Sequence, residues 1–323
     1  MLHTPLCDVL GIDVPVVLAP FGPWDQVALA AAVSNAGGLG SVGTAVRSVA
    51  ELRRQWDRLA ELTERPFAVN HTGRPLDEAA FDATLELRPR AISFHMGVPV
   101  QHVARARAEG ILWLQTVGDV ESARRALDAG VDVLIAQGGE AGGNSGWVAT
   151  SVLVPAVVDI AGRVPVVAAG GIADGRGIAA ALALGAQGAC LGTRFLASTE
   201  MTVDDAWKER IVAASAEDAV KVDNAARVMP PFTIPQIGRP YAPRALHTPL
   251  TDQLGRDPDS VDAATVSRQL VAAVREGGGH DLLPFAGQSV ALVHDIVPAA
   301  VLMTRLVTET EAALARASEA VRP

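Results

Sequence analysis

The sequence predicts an α/β fold, a (β/α)8 TIM barrel with a mostly helical subdomain inserted after the eighth strand. Two observations predict it. Short apolar runs alternate with helical patterns as far as residue 200, and there are eight such runs, the number that closes a parallel sheet around a filled interior. The alternation then breaks over 201–284, before a last helical pattern resumes.

In chain order the runs are VPVVLAP (14–20), GLGSVG (38–43), PFAVNHT (66–72), AISFHMG (91–97), LWLQTVG (112–118), DVLIAQG (132–138), VPVVAAGG (164–171) and GACLGTRF (188–195). They are near-continuously apolar, as expected of parallel strands covered on both faces. Between them lie a helix-like segment at 24–35 and the patterns DVESARRALDAG (119–130), SVLVPAVVDIAG (151–162) and DGRGIAAALALGAQG (174–188). Several of these end at a glycine, which suits a helix C-terminus. Residues 201–284 hold no strong parallel-strand run but include MPPFTIPQIGRPYAPRALHTP (229–249) and REGGGHD (275–281). They are expected to form the inserted subdomain, lying over the C-terminal rim of a barrel built from 1–200 and 285–323. The pattern GQSVALVHDIVPAAVLMTRLVTETEAALARASEA (287–320), broken by Pro298, is expected to supply the eighth barrel helix.

Composition excludes several classes of function. At 323 residues and 49% hydrophobic content the chain can bury a large core. A formal charge of -9, with Lys and Arg dispersed, argues against nucleic acid as a partner. No apolar stretch approaches the roughly 20 residues that span a bilayer. The opening MLHTPLCDVLGIDVP lacks the basic start of a signal peptide, so no membrane partner and a cytoplasmic address are expected. Cys7 and Cys190 form no CxxC pair, no metal site is expected, and Cys190 reads as a small core hydrophobe.

Barrel chemistry sits at the C-terminal strand ends. There the sequence places Pro20, Phe21 and Gly22; Asn70 and His71; His95; Gln115 and Thr116; Gln137 through Asn144; Gly170 and Gly171; and Gly192 and Thr193. The turns AAGGIADGRG and LGTRF, after the seventh and eighth runs, suit a phosphate held by backbone amides, with Asp174 capping the following helix. GLGSVG matches the dinucleotide pattern G-x-G-x-x-G, but a helix precedes it and its glycines fall within a strand, so no Rossmann site is expected.

These segments together resemble the nitronate monooxygenase family, once called 2-nitropropane dioxygenases, which are FMN-dependent TIM barrels related to flavin-dependent enoyl-ACP reductases. The resemblance runs through VPVVLAPFG, SNAGGLGSVG, FAVN, ISFHMG, IAQGGEAGG, the 164–200 segment and GQS, with IAQGGEAGG the discriminating piece. It implies that Gly170, Gly171, Gly192 and Thr193 hold the FMN phosphate and that Ala19, Pro20, Asn70 and Gln137 contact the ring. Phe21, Gly22, Gly138, Gly142 and Gly143 join them as cofactor-binding candidates.

The family's EAGGH reads EAGGN here, so Asn144 stands where the resemblance implies a histidine base. Asparagine cannot take up a proton near neutral pH. Asn144 is therefore expected either to hold a nitro or carboxylate-like group or to ease a turn. His71 is a candidate displaced base or a backbone-bonded loop histidine, and His95 lies in a shared motif; with Asn144 they complete the catalytic candidates. Three functions follow as expectations. One is oxidation of a small nitronate or nitroalkane-like substrate by O2, another NAD(P)H-dependent enoyl or enone reduction, and the third flavin or phosphate-ligand binding without turnover. A homodimer is compatible with the apolar helical content.

Overall fold

The computed structural model describes residues 2–72, 76–95, 97–229, 242–276, 278–279 and 281–320. Each of the eight apolar runs contains a strand of one parallel sheet. These are β1 (Val16–Leu18), β2 (Gly40–Gly43), β3 (Phe67–His71), β4 (Ala91–Phe94), β5 (Leu112–Val117), β6 (Val133–Gln137), β8 (Val166–Ala169) and β9 (Gly188–Leu191), with β7 (Gly143–Ser145) outside the sheet. The order is β1-β9-β8-β6-β5-β4-β3-β2. A parallel bridge between Val17 and Leu39 brings the two edges together, and Leu18 N donates to Leu39 O at 2.9 Å. The sheet is thus a (β/α)8 barrel.

Within each strand, neighbouring side chains point to opposite faces. Val17, Leu39, Ala68, Leu114, Val133, Val167 and Cys190 fill the interior, together with Leu6 and Leu10 from the helix Pro5–Leu10. The alternate residues, such as Val16, Leu18, Val69, Ile92, Leu134, Ala168 and Leu191, pack outward against the helices. Helix starts carry the residues that satisfy free N–H groups. Ser48 and Glu51 form a capping box, as do Asp119 and Ser122, and Asp174 accepts from Arg176 N and Gly177 N.

Pro298 precedes the long helix Ala299–Glu319 and starts it rather than breaking it, while Gln288–Leu292 before it is a 3-10 turn. The long helix packs against Gly175–Ala183 and Val27–Asn35, which is the eighth helix position. That packing is close: a Cβ on Gly175 would lie 2.3 Å from Thr310 N.

Between 201 and 284 the described residues form helices Asp205–Ala213, Pro249–Arg256 and Ala263–Arg275. Residues 230–241 of the proline-rich stretch lie outside the described residues. The region also has two strands that periodicity did not predict, β10 (Ala219–Lys221) and β11 (Ala242–Leu246), which pair antiparallel. β11 also pairs with β7, so part of the glycine-rich GGEAGGNSG run is a short strand rather than a simple turn. A separate small core of Val222, Val228, Leu250, Leu254 and Leu283 lies here.

GLGSVG shows why its glycines belong to packing. A Cβ on Gly40 would sit 2.2 Å from Ala30 O, so the helix–strand contact requires glycine there. Gly255, in a helix, has open space around its missing Cβ. Gly40→Ala is therefore expected to lower stability by roughly 1–3 kcal/mol through overpacking, whereas Gly255→Ala should raise it by about 0.5–1 kcal/mol through helix propensity. Urea unfolding of the two variants checks both signs.

Candidate functional site

At the C-terminal mouth of the barrel lies a cavity of about 300 Å³. The strand period determines which side chains reach it. Ala19, Asn70, Ser93, His95, Thr116, Gln137, Ala169, Cys190 and Gly192 line the cavity, and each is an even number of residues from an inward-facing position on its own strand. Pro20, Phe21 and Gly22 complete one wall. Gly142, Gly143 and Asn144 with Gly170, Gly171 and Thr193 complete another.

Two candidates stand apart. His71 follows inward-facing Asn70 and so points outward, where Nδ1 lies 3.3 Å from Thr44 Oγ1 and Nε2 lies 2.9 Å from Thr84 Oγ1. It packs edge-on against Phe81, and burial pushes its pKa down to about 4. That position does not serve a displaced base; nor is it the backbone-bonded loop histidine, because its partners are two threonine hydroxyls. Gly138 does not line the cavity either: a Cβ there would lie 2.0 Å from Thr150 Oγ1, so the glycine permits that close packing. Gln115, another rim residue, also turns outward; its Oε1 accepts from Trp113 Nε1 at 3.1 Å, and its Nε2 donates to Gly97 O at 2.8 Å.

The remaining polar side chains are tightly held. Asn70 Nδ2 donates to Ser93 Oγ at 2.9 Å. His95 is pushed down to about 4 by burial, with a hydrogen bond to the Asn144 backbone pulling the other way. Burial raises the Cys190 thiol to about 12. Both are uncharged near neutrality, and no Lys, Arg, Asp or Glu is among the described residues lining the cavity. Gln137 Oε1 is buried and has no hydrogen-bond partner among the described residues. Gly170 and Gly171 have φ of +98° and +74°, a backbone region that favours glycine.

Three segments are stitched together behind these turns. Gly287 N donates to Thr193 Oγ1 at 2.9 Å, and Gln288 N donates to Glu140 O at 2.9 Å. A Cβ on Gly142 would lie 2.7 Å from Gly287 N, so the strands of this knot touch backbone to backbone. Glu140 itself accepts from Thr150 N and Thr150 Oγ1, each at 2.9 Å. Lys221 Nζ, on β10, reaches Ser145 O at 2.9 Å, Ser145 Oγ at 2.7 Å and Gly146 O at 2.9 Å, and so clamps the strand that carries Asn144. Burial lowers its pKa to about 7; Arg244 acts in the same sense and Glu140 opposes it.

Sequence reasoning missed Ser93, Thr72, Trp24 and Ser289 as lining residues, along with Met229, Leu270, Val271, Leu283 and Phe285 from the later part of the chain. Ser93 was within reach of the period-two rule, two residues before His95. Ser289 lies in the GQS run, which carried the resemblance without an assigned role.

A closed parallel barrel with a cavity at the C-terminal strand ends, its described lining residues free of formal charge, defines the chain as a barrel of the enzyme type. The comparisons give the particular family. The model of the family described as nitronate monooxygenase matches residues 3–80 and 71–309, and the chain belongs to that family. It is similar to a nitronate monooxygenase of Paraburkholderia phytofirmans, at 33% identity over 94% of each chain. It is also similar, at 36% identity over 86% of this chain and 73% of the relative, to the (3aS,4S,5R,7aS)-5-hydroxy-7a-methyl-1-oxo-octahydro-1H-indene-4-carboxyl-CoA dehydrogenase of Mycobacterium tuberculosis. Among solved structures, FabK from Thermotoga maritima superposes with a TM-score of 0.88 at 32% identity, covering 99% of this chain and 100% of that one. A nitroalkane oxidase from Streptomyces ansochromogenes gives 0.80 at 29% identity, covering 97% and 99%. The chain is thus an oxidoreductase. No helix among the described residues is long and apolar enough to cross a membrane.

The two buried histidines contribute to the acid response. Their folded pKa values of about 4 lie below the usual 6.5, so between these limits the unfolded chain binds more protons. Stability from this source is present above pH 6.5 and is lost as pH falls towards 4. His71→Gln should make the urea midpoint fall less steeply across that window while leaving the shape of the pH profile of turnover unchanged. A turnover profile that shifts would return His71 to the chemistry.

Proposed function

We propose that the cavity binds FMN and that the protein oxidises nitronates, substrates already ionised, with O2. Residues 201–284 would roof the barrel formed by 1–200 and 285–323. The residues present fit a flavin mononucleotide. Gln137 offers a buried acceptor that no protein group uses among the described residues, and Gly170 and Gly171 turn the chain at the cavity wall with no side chain in the way. Gly170, Gly171, Gly192 and Thr193 would hold the phosphate through main-chain dipoles, consistent with a lining that carries no cation among the described residues. Ala19, Pro20, Phe21, Gly22, Asn70, Gln137, Gly142 and Gly143 would contact the ring system. When bound, the flavin supplies two-electron chemistry with the substrate and with O2.

One observation carries the choice of substrate: among the described residues, the two lining groups that can titrate, His95 and Cys190, are both shifted away from neutral pH. Burial lowers the His95 pKa to about 4 and so leaves it a weak base, Cys190 keeps its proton, and Asn144 cannot accept one. Among the described lining residues there is therefore no strong base for deprotonating a neutral nitroalkane, and an anion that arrives preformed needs none. Asn144, on a strand clamped by Lys221, would orient the substrate's oxygens through its side-chain amide.

A second reading is favoured by a different observation, the apolar character of the lining contributed by the roof. In that reading reduced nicotinamide loads the flavin and an enoyl thioester or enone is reduced. It agrees with the similarity to a dehydrogenase whose name specifies a CoA thioester.

Visible spectra of the protein supplemented with FMN, followed by anaerobic addition of propane-2-nitronate or NADPH in separate cuvettes, test both. Bleaching by the nitronate alone is expected. Bleaching by NADPH alone would favour the second reading, and failure to take up FMN would overturn both. Asn144→His should raise kcat/KM for neutral nitroalkanes by about 10²-fold or more by restoring a base, with little change for nitronates, as steady-state kinetics on both forms would reveal.

A further inference from the structure

The roof side of the cavity differs in character from the barrel side. The barrel contributes amides, hydroxyls and glycine backbone mixed with apolar groups such as Phe21, Trp24, Ile135 and Ile172, whereas the roof contributes a nearly all-apolar set, Val228, Met229, Leu270, Val271 and Leu283, with Ser267 the polar exception and Phe285 just beyond it. Ser267, Leu270 and Val271 stand at i, i+3 and i+4 in the helix Ala263–Arg275, so a single helix face fronts the cavity. Trp24, from the loop after β1, meets Phe285 edge-on at 6.1 Å and donates from Nε1 to Gly278 O at 3.3 Å, which joins barrel rim and roof into one apolar wall.

Two apolar side chains that line this cavity are also left in water. Val271 is 46% exposed and Val46 is 54% exposed, one from the roof helix and the other from the loop after β2. Val46 also has φ of +54°, a conformation that costs a β-branched residue free energy and is tolerated where the surroundings impose it. A substrate consisting only of a compact polar head would cover none of this surface.

We infer that the substrate carries an extended hydrocarbon tail, seated between Trp24 and the Met229, Leu270 and Val271 side chains. This rests on the proposed site for the position of the head, which faces Asn70, Gln137 and Asn144. The tail is recognised by burial of apolar area, so each added methylene strengthens binding until the chain passes the Val46 and Val271 lip.

The test is isothermal titration of n-alkyl carboxylates of four to ten carbons into the 323-residue chain supplemented with FMN, the carboxylate oxygens standing in for the oxygens of a nitronate or thioester carbonyl. Kd should fall about 3- to 4-fold per methylene on the unmodified protein. Leu270→Asn should flatten that dependence. Val271→Asn, at an exposed helix position, should do the same and keeps the test open if the first variant does not fold. A Kd independent of chain length in the unmodified protein would overturn the inference. FMN uptake, followed separately by quenching of FMN fluorescence, distinguishes the two levels. A steep chain-length series without FMN uptake removes the flavin reading and leaves the tail slot standing, while FMN uptake with a flat series removes only the slot.

Discussion

The alternation of side chains along a strand, inside a sheet with no free edge, is the constraint on which the site depends. Once Leu18 N and Leu39 O have joined the first and second strands, every residue at a C-terminal strand end faces either the barrel axis or the helix layer. Asn70 and His71 are chain neighbours, yet one lines the cavity and the other is buried against Phe81. The same alternation sends Thr116 inward and Gln115 outward, where it bonds to Trp113. Chemistry at the rim is thus selected by register before any question of reactivity arises.

The second feature is that the described residues lining the cavity carry no formal charge, where the proposed ligands are anions. A cation in so enclosed a site would carry a desolvation cost, and a carboxylate would repel a phosphate or nitronate. Main-chain dipoles at glycine turns avoid both, since amides are polar without being ionised and the missing Cβ leaves the ligand room to approach. The depressed histidine and the raised thiol follow from the same enclosure. Burial alone pushes each towards its neutral form, from opposite directions.

Much of this was legible in the sequence, and the part that was not has a physical cause. The eight apolar runs announced the barrel because strands covered on both faces have no choice but to be apolar. The rim residues from Ala19 to Gly22, and the glycine turns at 170–171 and 192–193, could be located because their positions relative to the strands are local facts. The orientation of His71 was equally encoded by parity with Ala68 and Asn70, but depends on knowing which of them faces inward. The pairing of β7 with β11 was not legible: Gly143 opposes Arg244 across about a hundred residues, and neither segment is apolar enough to declare itself a strand. Nor was the lining from the later part of the chain, because Leu270 and Val271 read as an ordinary amphipathic helix until the helix has somewhere to dock.

That long-range pairing also explains how a glycine-rich loop can hold a cavity-lining residue, Asn144, firmly. Glycine lowers the cost of unusual backbone geometry but raises the entropy lost on ordering, so a GGEAGG run left to itself would sample many shapes. Here the ordering comes from outside the run. Arg244 donates from Nη2 to Gly139 O at 2.9 Å, Lys221 gathers Ser145 and Gly146, and Glu140 is fastened to Thr150. Both cations sit on the β10–β11 pair, so the sheet that braces the Asn144 strand also joins it to the region supplying the apolar lining. A displacement of that region would therefore be felt at Asn144 through hydrogen bonds to a charged group, which are among the stronger single contacts available to a loop. The polar end and the apolar side of the cavity are in this way parts of one mechanical unit, although they arise from residues far apart in the chain.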